Sequence, residues 1–256
     1  MAGLLTGRTA LVMGVANRWS IAWGIARAFD REGARCILTY QGEREADAVS
    51  KLAAELRDAR TIPCDVTRDE DLERLQDGLR QDVDRIDVFV HSIAYARTED
   101  LRGRFLDTSR EGYLLAHNVS AYSLVACARA VTPLMSQGGS ILTLTFAASG
   151  RVFPNYNVMA TAKAALEAAV RYLAYELGPQ GIRVNAISAG PIKTASARAV
   201  AGITEFLQTY AERAPLRRNV DQDDIGDAAV FLASDLSRGI TGHILYVDAG
   251  YHILGI

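Results

Sequence analysis

The stretch Thr9-Ala10-Leu11-Val12-Met13-Gly14-Val15-Ala16-Asn17-Arg18-Trp19-Ser20-Ile21 decides the fold. A short strand-forming run, Thr9–Met13, meets a glycine, and a pattern typical of an amphipathic helix follows over Ser20–Arg31. A glycine at the end of a first strand permits a tight turn, and the amides at the start of the next helix attract phosphate, with Ser20 as the expected cap. The spacing differs from the G-x-G-x-x-G pattern of dinucleotide-binding sites. This turn alone is therefore compatible with dinucleotide binding and also with simple packing of a strand against a helix.

The alternation of strand and helix patterns continues along the whole chain. Six further strands are predicted at Cys36–Tyr40, Thr61–Cys64, Asp87–His91, Ser140–Thr145, Arg183–Ser188 and Ile244–Asp248. The other helices are predicted at Glu43–Arg57, Arg68–Gln81, Gly112–Met135, Tyr156–Leu177 and Asp221–Leu232. Strands joined by helices lie parallel, which predicts an α/β fold: a single doubly wound Rossmann-type domain over residues 1–256, with a seven-stranded parallel sheet flanked by helices. The long connection at about 194–218 predicts either a substrate-binding lid or a peripheral helix.

Composition narrows the class of protein. The 256 residues are 49% hydrophobic and carry a formal net charge of −2, which argues against nucleic acid as a partner. The first residues lack a signal-peptide pattern, and no apolar run is long enough to span a bilayer, so we expect a cytoplasmic protein without a membrane partner. Three widely spaced cysteines predict buried reduced thiols, and four histidines without metal-site spacing predict no metal centre.

Two strand ends carry candidate nucleotide contacts. Gln41 follows the second strand, where Rossmann sites usually carry an acid for the adenosine ribose hydroxyls, and its amide can donate to and accept from hydroxyls. Arg44 lies close enough for a 2′-phosphate, but Glu43 beside it favours NADH over NADPH; a plain surface role for Gln41 stays open. Asp65, after the third strand, is either an acceptor for the adenine amino group or a turn aspartate.

A tyrosine and a lysine form the candidate catalytic pair. Tyr156 and Lys163 are seven residues apart on a predicted helix, which places them on one face about 10 Å apart along the axis. The phenol can donate a hydrogen bond to a developing oxyanion, and the lysine can hold ribose hydroxyls and keep positive charge nearby. An ordinary helix with a packed tyrosine and an exposed lysine is the competing interpretation.

The Tyr-x6-Lys pair after a Gly-x5-Ser turn resembles the enoyl-acyl-carrier-protein reductases, a branch of the short-chain dehydrogenase/reductase family. Most members of that family have Tyr-x3-Lys and Gly-x3-Gly-x-Gly instead. The segments Pro154–Met159, Arg183–Thr194, Gly239–Gly242 and Val247–Gly250 are also similar to this branch, so the resemblance covers essentially the whole chain. It implies an NADH-dependent, cytoplasmic homotetramer that reduces trans-2-enoyl-acyl-carrier-protein thioesters to saturated acyl thioesters, the last reductive step of type II fatty-acid elongation.

The resemblance also implies roles for individual residues. It assigns Tyr156 as the catalytic tyrosine, with Lys163 beside it, and places Ala96 and Phe146 next to the acyl substrate. The implied cofactor contacts are Gly14, Ser20, Ile21, Gln41, Asp65, Val66, Ile93, Lys163, Ile192, Lys193, Thr194, Ala195 and Ser196. Phe146 stands where many members carry a second tyrosine, which leaves Tyr156 as the proton donor and the preferred acyl length undetermined.

Two alternatives remain open from the sequence. A 3-ketoacyl reductase of the same fold would carry Tyr-x3-Lys and a serine about 13 residues before the tyrosine, but position 143 is threonine. A non-catalytic nucleotide-binding regulator would not need both Tyr156 and Lys163. The arginines of the long connection would either attract an acidic carrier protein or simply face solvent; they are Arg198, Arg213, Arg217 and Arg218.

Overall fold

A seven-stranded parallel sheet organises the computed structural model, which describes residues 3–194 and 202–255. The strands are β1 (Thr9–Met13), β2 (Arg35–Tyr40), β3 (Ala59–Pro63), β4 (Val88–His91), β5 (Gly139–Thr145), β6 (Ile182–Ala189) and β7 (Ile244–Val247). Their spatial order is β3-β2-β1-β4-β5-β6-β7, and each neighbouring pair is parallel. The predicted doubly wound α/β fold is therefore confirmed.

Helices cover both faces of this sheet. They are α1 (Ile21–Arg31), α2 (Glu43–Ala53), α3 (Asp69–Asp82), α4 (Thr98–Leu101), α5 (Arg110–His117), α6 (Ser123–Val131), α7 (Asn157–Leu177), α8 (Ile203–Arg213) and α9 (Gln222–Ala233). Successive strand residues enter opposite cores: Ala10 and Val12 join the core with α1 and α9, whereas Leu11 and Met13 join the core with α3, α6 and α7. Both faces of the central strands are buried, as is typical of parallel sheets, whereas the edge strands β3 and β7 are partly exposed.

The prediction of one continuous helix over Gly112–Met135 is wrong, because the structure has two α-helices, α5 and α6, in this segment. Helix α5 begins earlier, at Arg110, because the Ser109 hydroxyl accepts a hydrogen bond from the Gly112 amide at 2.9 Å. Between α5 and α6 the chain makes a π-helical turn, Asn118–Tyr122, and after α6 a 3₁₀ turn. The Ser123 hydroxyl donates to the Val119 carbonyl at 2.6 Å, and such competition with the backbone is typical where helices depart from α geometry.

Other boundaries shift by a few residues. Helix α2 ends at Ala53 rather than Arg57, whose amide donates instead to Asp30 at 3.0 Å. Strand β3 starts at Ala59 because its pairing with β2 begins there, opposite Cys36. Such ends depend on tertiary partners that the sequence pattern does not contain.

The long connection after β6 is described only in part. Residues 195–201 of the predicted lid lie outside the described residues, and so do Ala195 and Ser196 as predicted contacts. The following helix, α8, buries Leu207 and Tyr210, and Phe206 packs against the same core as α1 and α9. In the two described ranges, no helix is long and apolar enough to cross a membrane.

Candidate active site

The central feature of the site is the place where the strand order reverses, between β1 and β4. Gly14 immediately follows β1 with φ +94°, and a Cβ there would overlap the carbonyl oxygen of Ser92. The Ser92 amide in turn donates to the Met13 carbonyl at 3.1 Å, and Ile93 lies against the same position. Only glycine fits this conformation without strain. The fold therefore brings the predicted contacts Gly14 and Ile93 together at the carboxyl ends of the strands, where open α/β sheets bind ligands.

The start of α1 lies beside this turn, but Ser20 does not cap it as expected. The Ser20 hydroxyl donates to the Asn17 carbonyl at 2.6 Å instead of accepting from the helix. Within the described residues, the Ile21 and Ala22 amides have no hydrogen-bond acceptor. Free amides and the positive end of a helix dipole attract anions, so the predicted phosphate contact does not depend on the Ser20 cap and stays a prediction.

Helix α9 forms hydrogen bonds with the turn before α1, a contact that the sequence did not predict. The Gln222 side-chain amide donates to the carbonyls of Ser20 at 2.6 Å and Arg18 at 3.2 Å. Gly24 faces Gln222 so closely that a Cβ would come within 2.6 Å of its side chain. Nothing in the local pattern signals a contact between residues about 200 positions apart.

The two predicted adenosine contacts touch each other. The Gln41 side-chain amide donates to Asp65 Oδ2 at 3.2 Å, because the register of β2 and β3 aligns the ends of both strands. Asp65 Oδ1 accepts from the Thr67 amide at 2.9 Å and from the Thr67 hydroxyl at 2.7 Å. Burial acts to raise the pKa of the Asp65 carboxyl, but these hydrogen bonds outweigh it and hold the pKa below its ordinary value. Asp65 is thus a turn aspartate, and its contact with adenine stays a prediction.

Tyr156 immediately precedes α7, and Lys163 lies two turns into that helix. Asn155 turns the chain with φ +63°, and the Ala160 amide makes the first helical hydrogen bond to the Tyr156 carbonyl at 2.9 Å. Lys163 is buried, at 5% exposure, and its ammonium donates to the Leu144 carbonyl at 2.7 Å. Burial lowers the pKa of Lys163 to about 8, although the Glu167 charge opposes this. The lysine is therefore not the exposed residue of the competing interpretation.

An aromatic and aliphatic wall surrounds Tyr156. The Phe146 ring meets the Tyr156 ring edge-on with 5.1 Å between centroids, and Ala96 and Tyr156 pack on a small cluster that includes Met159. Burial raises the pKa of the Tyr156 phenol above its ordinary value, so the hydroxyl keeps its proton at neutral pH. Phe146 also contacts Phe153 and Phe206, which extends the apolar wall to α8.

The remaining predicted contacts are distributed around the same edge. Val66 and Ile192 pack against the two cores, one on each face of the sheet. The Thr194 amide donates to the Ile192 carbonyl at 2.8 Å, and Lys193 is exposed.

The π-helical turn holds the segment after β4, and the sequence interpretation did not identify it. The buried Ser120 hydroxyl accepts from the Tyr95 amide at 2.9 Å and donates to the Tyr95 carbonyl at 3.1 Å, next to Ala96. The Ser123 hydroxyl, which donates to the Val119 carbonyl, also lies 2.8 Å from His91 Nε2. Burial, followed by the Lys163 charge, lowers the pKa of His91 to about 3. The available signal was the pair of serines, Ser120 and Ser123, three residues apart in the middle of the predicted helix.

Thr143 occupies the position where a ketoacyl reductase would carry its serine. Its side chain is fully buried, and its hydroxyl donates to the His91 carbonyl at 3.1 Å while lying 3.1 Å from His91 Nδ1. A hydroxyl bonded inside the core in this way is not presented to a substrate.

Two arginines of the long connection, Arg217 and Arg218, form hydrogen bonds within the chain. Arg218 makes two hydrogen bonds to the Asp224 carboxylate, at 2.6 and 2.8 Å, and Arg217 donates to the Glu212 carbonyl. Arg198 lies outside the described residues. Among the residues that are described, no group of histidines, cysteines and acids is arranged to hold a metal ion.

Comparisons with known proteins agree on one family. The family model described as "Enoyl-(Acyl carrier protein) reductase" matches residues 14–252. The chain is 54% identical to the enoyl-[acyl-carrier-protein] reductase [NADH] of Bacillus cereus, over 98% of this chain and 99% of that one. It is 48% identical to the enoyl-[acyl-carrier-protein] reductase [NADPH] of Staphylococcus aureus, over 98% of each chain.

Two solved structures are similar along their whole length. The Bacillus cereus reductase, solved with NADP+ and indole naphthyridinone, has a TM-score of 0.98 and 54% identity, covering 99% of this chain and 100% of that one. The reductase of Anaplasma phagocytophilum, solved with NAD, has a TM-score of 0.96 and 43% identity, covering 100% of this chain and 98% of that one.

Proposed function

This chain belongs to the enoyl-(acyl carrier protein) reductase family, and we propose that it reduces the carbon–carbon double bond of trans-2-enoyl thioesters carried on acyl carrier protein, with NADH as the hydride donor. The observation that carries this proposal is the buried Lys163, bonded to the end of β5, with the half-buried Tyr156 at the start of the same helix and the glycine turn at the same carboxyl edge of the sheet. When bound, the nicotinamide supplies the hydride for the β-carbon of the substrate.

The chain's own contribution is charge stabilisation and orientation. The Tyr156 hydroxyl, kept protonated by burial, donates a hydrogen bond to the thioester oxygen as negative charge develops there. The Lys163 ammonium uses one N–H on Leu144 and has two more for the ribose hydroxyls of the dinucleotide. Gly14 and the free amides of Ile21 and Ala22 fit a pyrophosphate, since backbone can approach it there.

The NADH preference rests on the surroundings of Gln41. Its amide N–H points to Asp65, which leaves the side-chain oxygen to accept from a ribose hydroxyl. A 2′-phosphate has no such proton at neutral pH and would meet the negative charges of Asp65 and Glu43. We expect a lower KM for NADH than for NADPH, and Gln41→Arg to shift the ratio toward NADPH; a wild-type preference for NADPH would contradict this assignment.

The reaction itself is tested by following nicotinamide absorbance with substrates of two classes. We expect oxidation of NADH with crotonyl and longer 2-enoyl thioesters and none with a 3-ketoacyl thioester, because Thr143 is bonded inside the core. Turnover of the ketoacyl substrate alone would replace the enoyl proposal with the carbonyl-reductase alternative. No turnover with either class would support a regulatory protein.

We further expect a cytoplasmic homotetramer with the segment at about 194–218 acting as a lid over the acyl chain. Tyr172 and Tyr175 on α7 are 72% and 84% exposed in the single chain, and exposed aromatic residues of this kind favour a protein interface. Light scattering coupled to size-exclusion chromatography tests the assembly, and a monomer at micromolar concentration would contradict it.

A further inference from the structure

Lys163 is a buried cation whose charge must be sustained by its surroundings. Four polar groups lie around it: the Leu144 carbonyl from β5, His91 from β4, Glu167 from α7, and Tyr156, the residue immediately before α7. Burial keeps His91 and Tyr156 neutral, so neither compensates the charge of an ammonium. Glu167 is therefore the acidic group that can do so.

Glu167 is held in place by the same strand that holds Lys163. The Thr145 hydroxyl donates to Glu167 Oε1 at 2.7 Å, and the preceding residue, Leu144, accepts from the Lys163 ammonium at 2.7 Å. Thr145 is buried, at 4% exposure. Lys163 and Glu167 are also four residues apart on α7, a spacing that puts their side chains on one helix face.

We propose that Glu167 is a positioning residue that keeps the Lys163 ammonium charged at neutral pH, acting through space from a carboxylate fixed by Thr145. The two side chains do not form a direct ion pair; each is hydrogen-bonded to its own residue on β5. The effect on Lys163 requires no assumption about the reaction, whereas its effect on turnover rests on the proposed function.

The small number of lysines allows a direct measurement on the whole protein. The chain has three lysines, Lys51, Lys163 and Lys193, and the first and last are exposed. Protein labelled with ¹³C at lysine Cε therefore gives three NMR signals to follow against pH, with Lys163→Met assigning the buried one. We expect Glu167→Gln, which retains the acceptor for Thr145 but removes the charge, to lower the pKa of Lys163 by about one pH unit. Lys51 and Lys193 should titrate unchanged.

A matched control is Glu176→Gln, an exposed acid at the far end of the same helix, which should leave Lys163 unchanged. A Lys163 pKa that is the same in Glu167→Gln as in wild type would overturn the proposal. If Glu167→Gln does not fold, Thr145→Val tests the same point, because releasing the carboxylate should also lower the pKa of Lys163, and an unchanged value again overturns the proposal.

Failure of this proposal is distinguishable from failure of the proposed function. A lowered pKa of Lys163 together with an alkaline limit of kcat/KM that moves down by the same amount supports both. A lowered pKa with an unchanged pH–rate profile supports the role of Glu167 and removes Lys163 from the reaction.

Discussion

Lys163 is buried and Tyr156 is half-buried, and the partial or complete loss of water moves their pKa values in opposite directions. The neutral form is favoured in each case, which raises the pKa of the phenol and lowers that of the ammonium to about 8. At neutral pH the tyrosine keeps the proton that it must share with an oxyanion, while most of the lysine remains charged. Desolvation is therefore the main cause of both pKa shifts, that of the proton-donating phenol and that of the nearby ammonium.

Removing the Tyr156 hydroxyl tests the first of these roles. We expect Tyr156→Phe to lower kcat by roughly 100-fold, since a positioned hydrogen-bond donor typically contributes that much. The NADH dissociation constant, measured by fluorescence, should change little because the phenol faces the acyl substrate in the proposed mechanism. Full turnover by this variant would remove Tyr156 from the catalytic step.

The pKa of Lys163 gives a prediction for pH dependence. The protonated form is present below pH 8 and is lost as pH rises through about 8, so kcat/KM should fall on the alkaline side of that value. The measurement is a pH–rate profile between pH 6 and about 10, the range in which a free lysine would stay charged. A flat profile across pH 8 would contradict a role for the charged lysine.

At the scale of elements, the strand–turn–helix unit from β1 to α1 depends on one backbone position. Gly14 combines a positive φ with contact against Ser92, whereas Gly7 has φ +77° and nothing within 4 Å of its Cβ position. Both positions have a positive φ that would strain any other residue, but only Gly14 adjoins neighbouring backbone. Alanine variants at the two positions therefore separate two losses of stability, one from the strained φ and one from overlap of the new Cβ with backbone.

We expect Gly14→Ala to reduce the free energy of unfolding by about 3 kcal/mol and to abolish measurable NADH binding, because strain and overlap add at the nucleotide turn. Gly7→Ala should cost about 1 kcal/mol and leave NADH binding intact. Chemical denaturation and fluorescence titration measure both effects. Equal losses of stability in the two variants would show that the overlap is relieved at little cost.

The π-helical turn makes a second prediction at this scale. Ser120→Ala leaves the backbone of Tyr95 without its partner, so we expect a loss of about 1–3 kcal/mol in stability. The adjoining Ala96 packs on the same small cluster as Tyr156, and we therefore expect the KM for enoyl substrate to rise several-fold with little change for NADH. Ser50→Ala, an exposed serine in α2, is the matched control. An unchanged substrate KM would limit Ser120 to a structural role.

The strands and the strand–helix alternation followed from sequence because local apolar runs persist wherever both faces of a sheet are buried. The features that sequence did not predict depend on tertiary contacts instead. Ser20 bonds to Asn17 rather than to its helix, Gln222 reaches the same turn from the far end of the chain, and Glu167 is held by Thr145. Likewise, the departure from regular helix at residues 118–122 accompanies bonds to β4 and its loop.

Across the whole molecule, the two cores enclose all three cysteines. Cys36 belongs to the core with α1 and α9, and Cys64 and Cys127 belong to the core with α3, α6 and α7. Burial raises the pKa of the Cys36 and Cys64 thiols to about 12 and that of the Cys127 thiol as well. None is in a disulfide, as the cysteine spacing predicted.

This arrangement makes thiol chemistry a probe of global unfolding. We expect no rapid reaction of the native protein with Ellman's reagent at pH 8, because the reactive thiolate is suppressed and access is blocked. Denaturation in guanidinium chloride should expose three reactive thiols per chain. A thiol that reacts in the native state as fast as a free cysteine would show that one core opens locally.

The strand order has a consequence for synthesis on the ribosome. After β1 emerges, β2 and β3 extend the sheet outward on one side, and β4 to β7 then extend it on the other in the order in which they are translated. No strand has to be inserted between two that are already paired. The growing chain can add each strand to an open edge as it leaves the exit tunnel, without undoing earlier pairing.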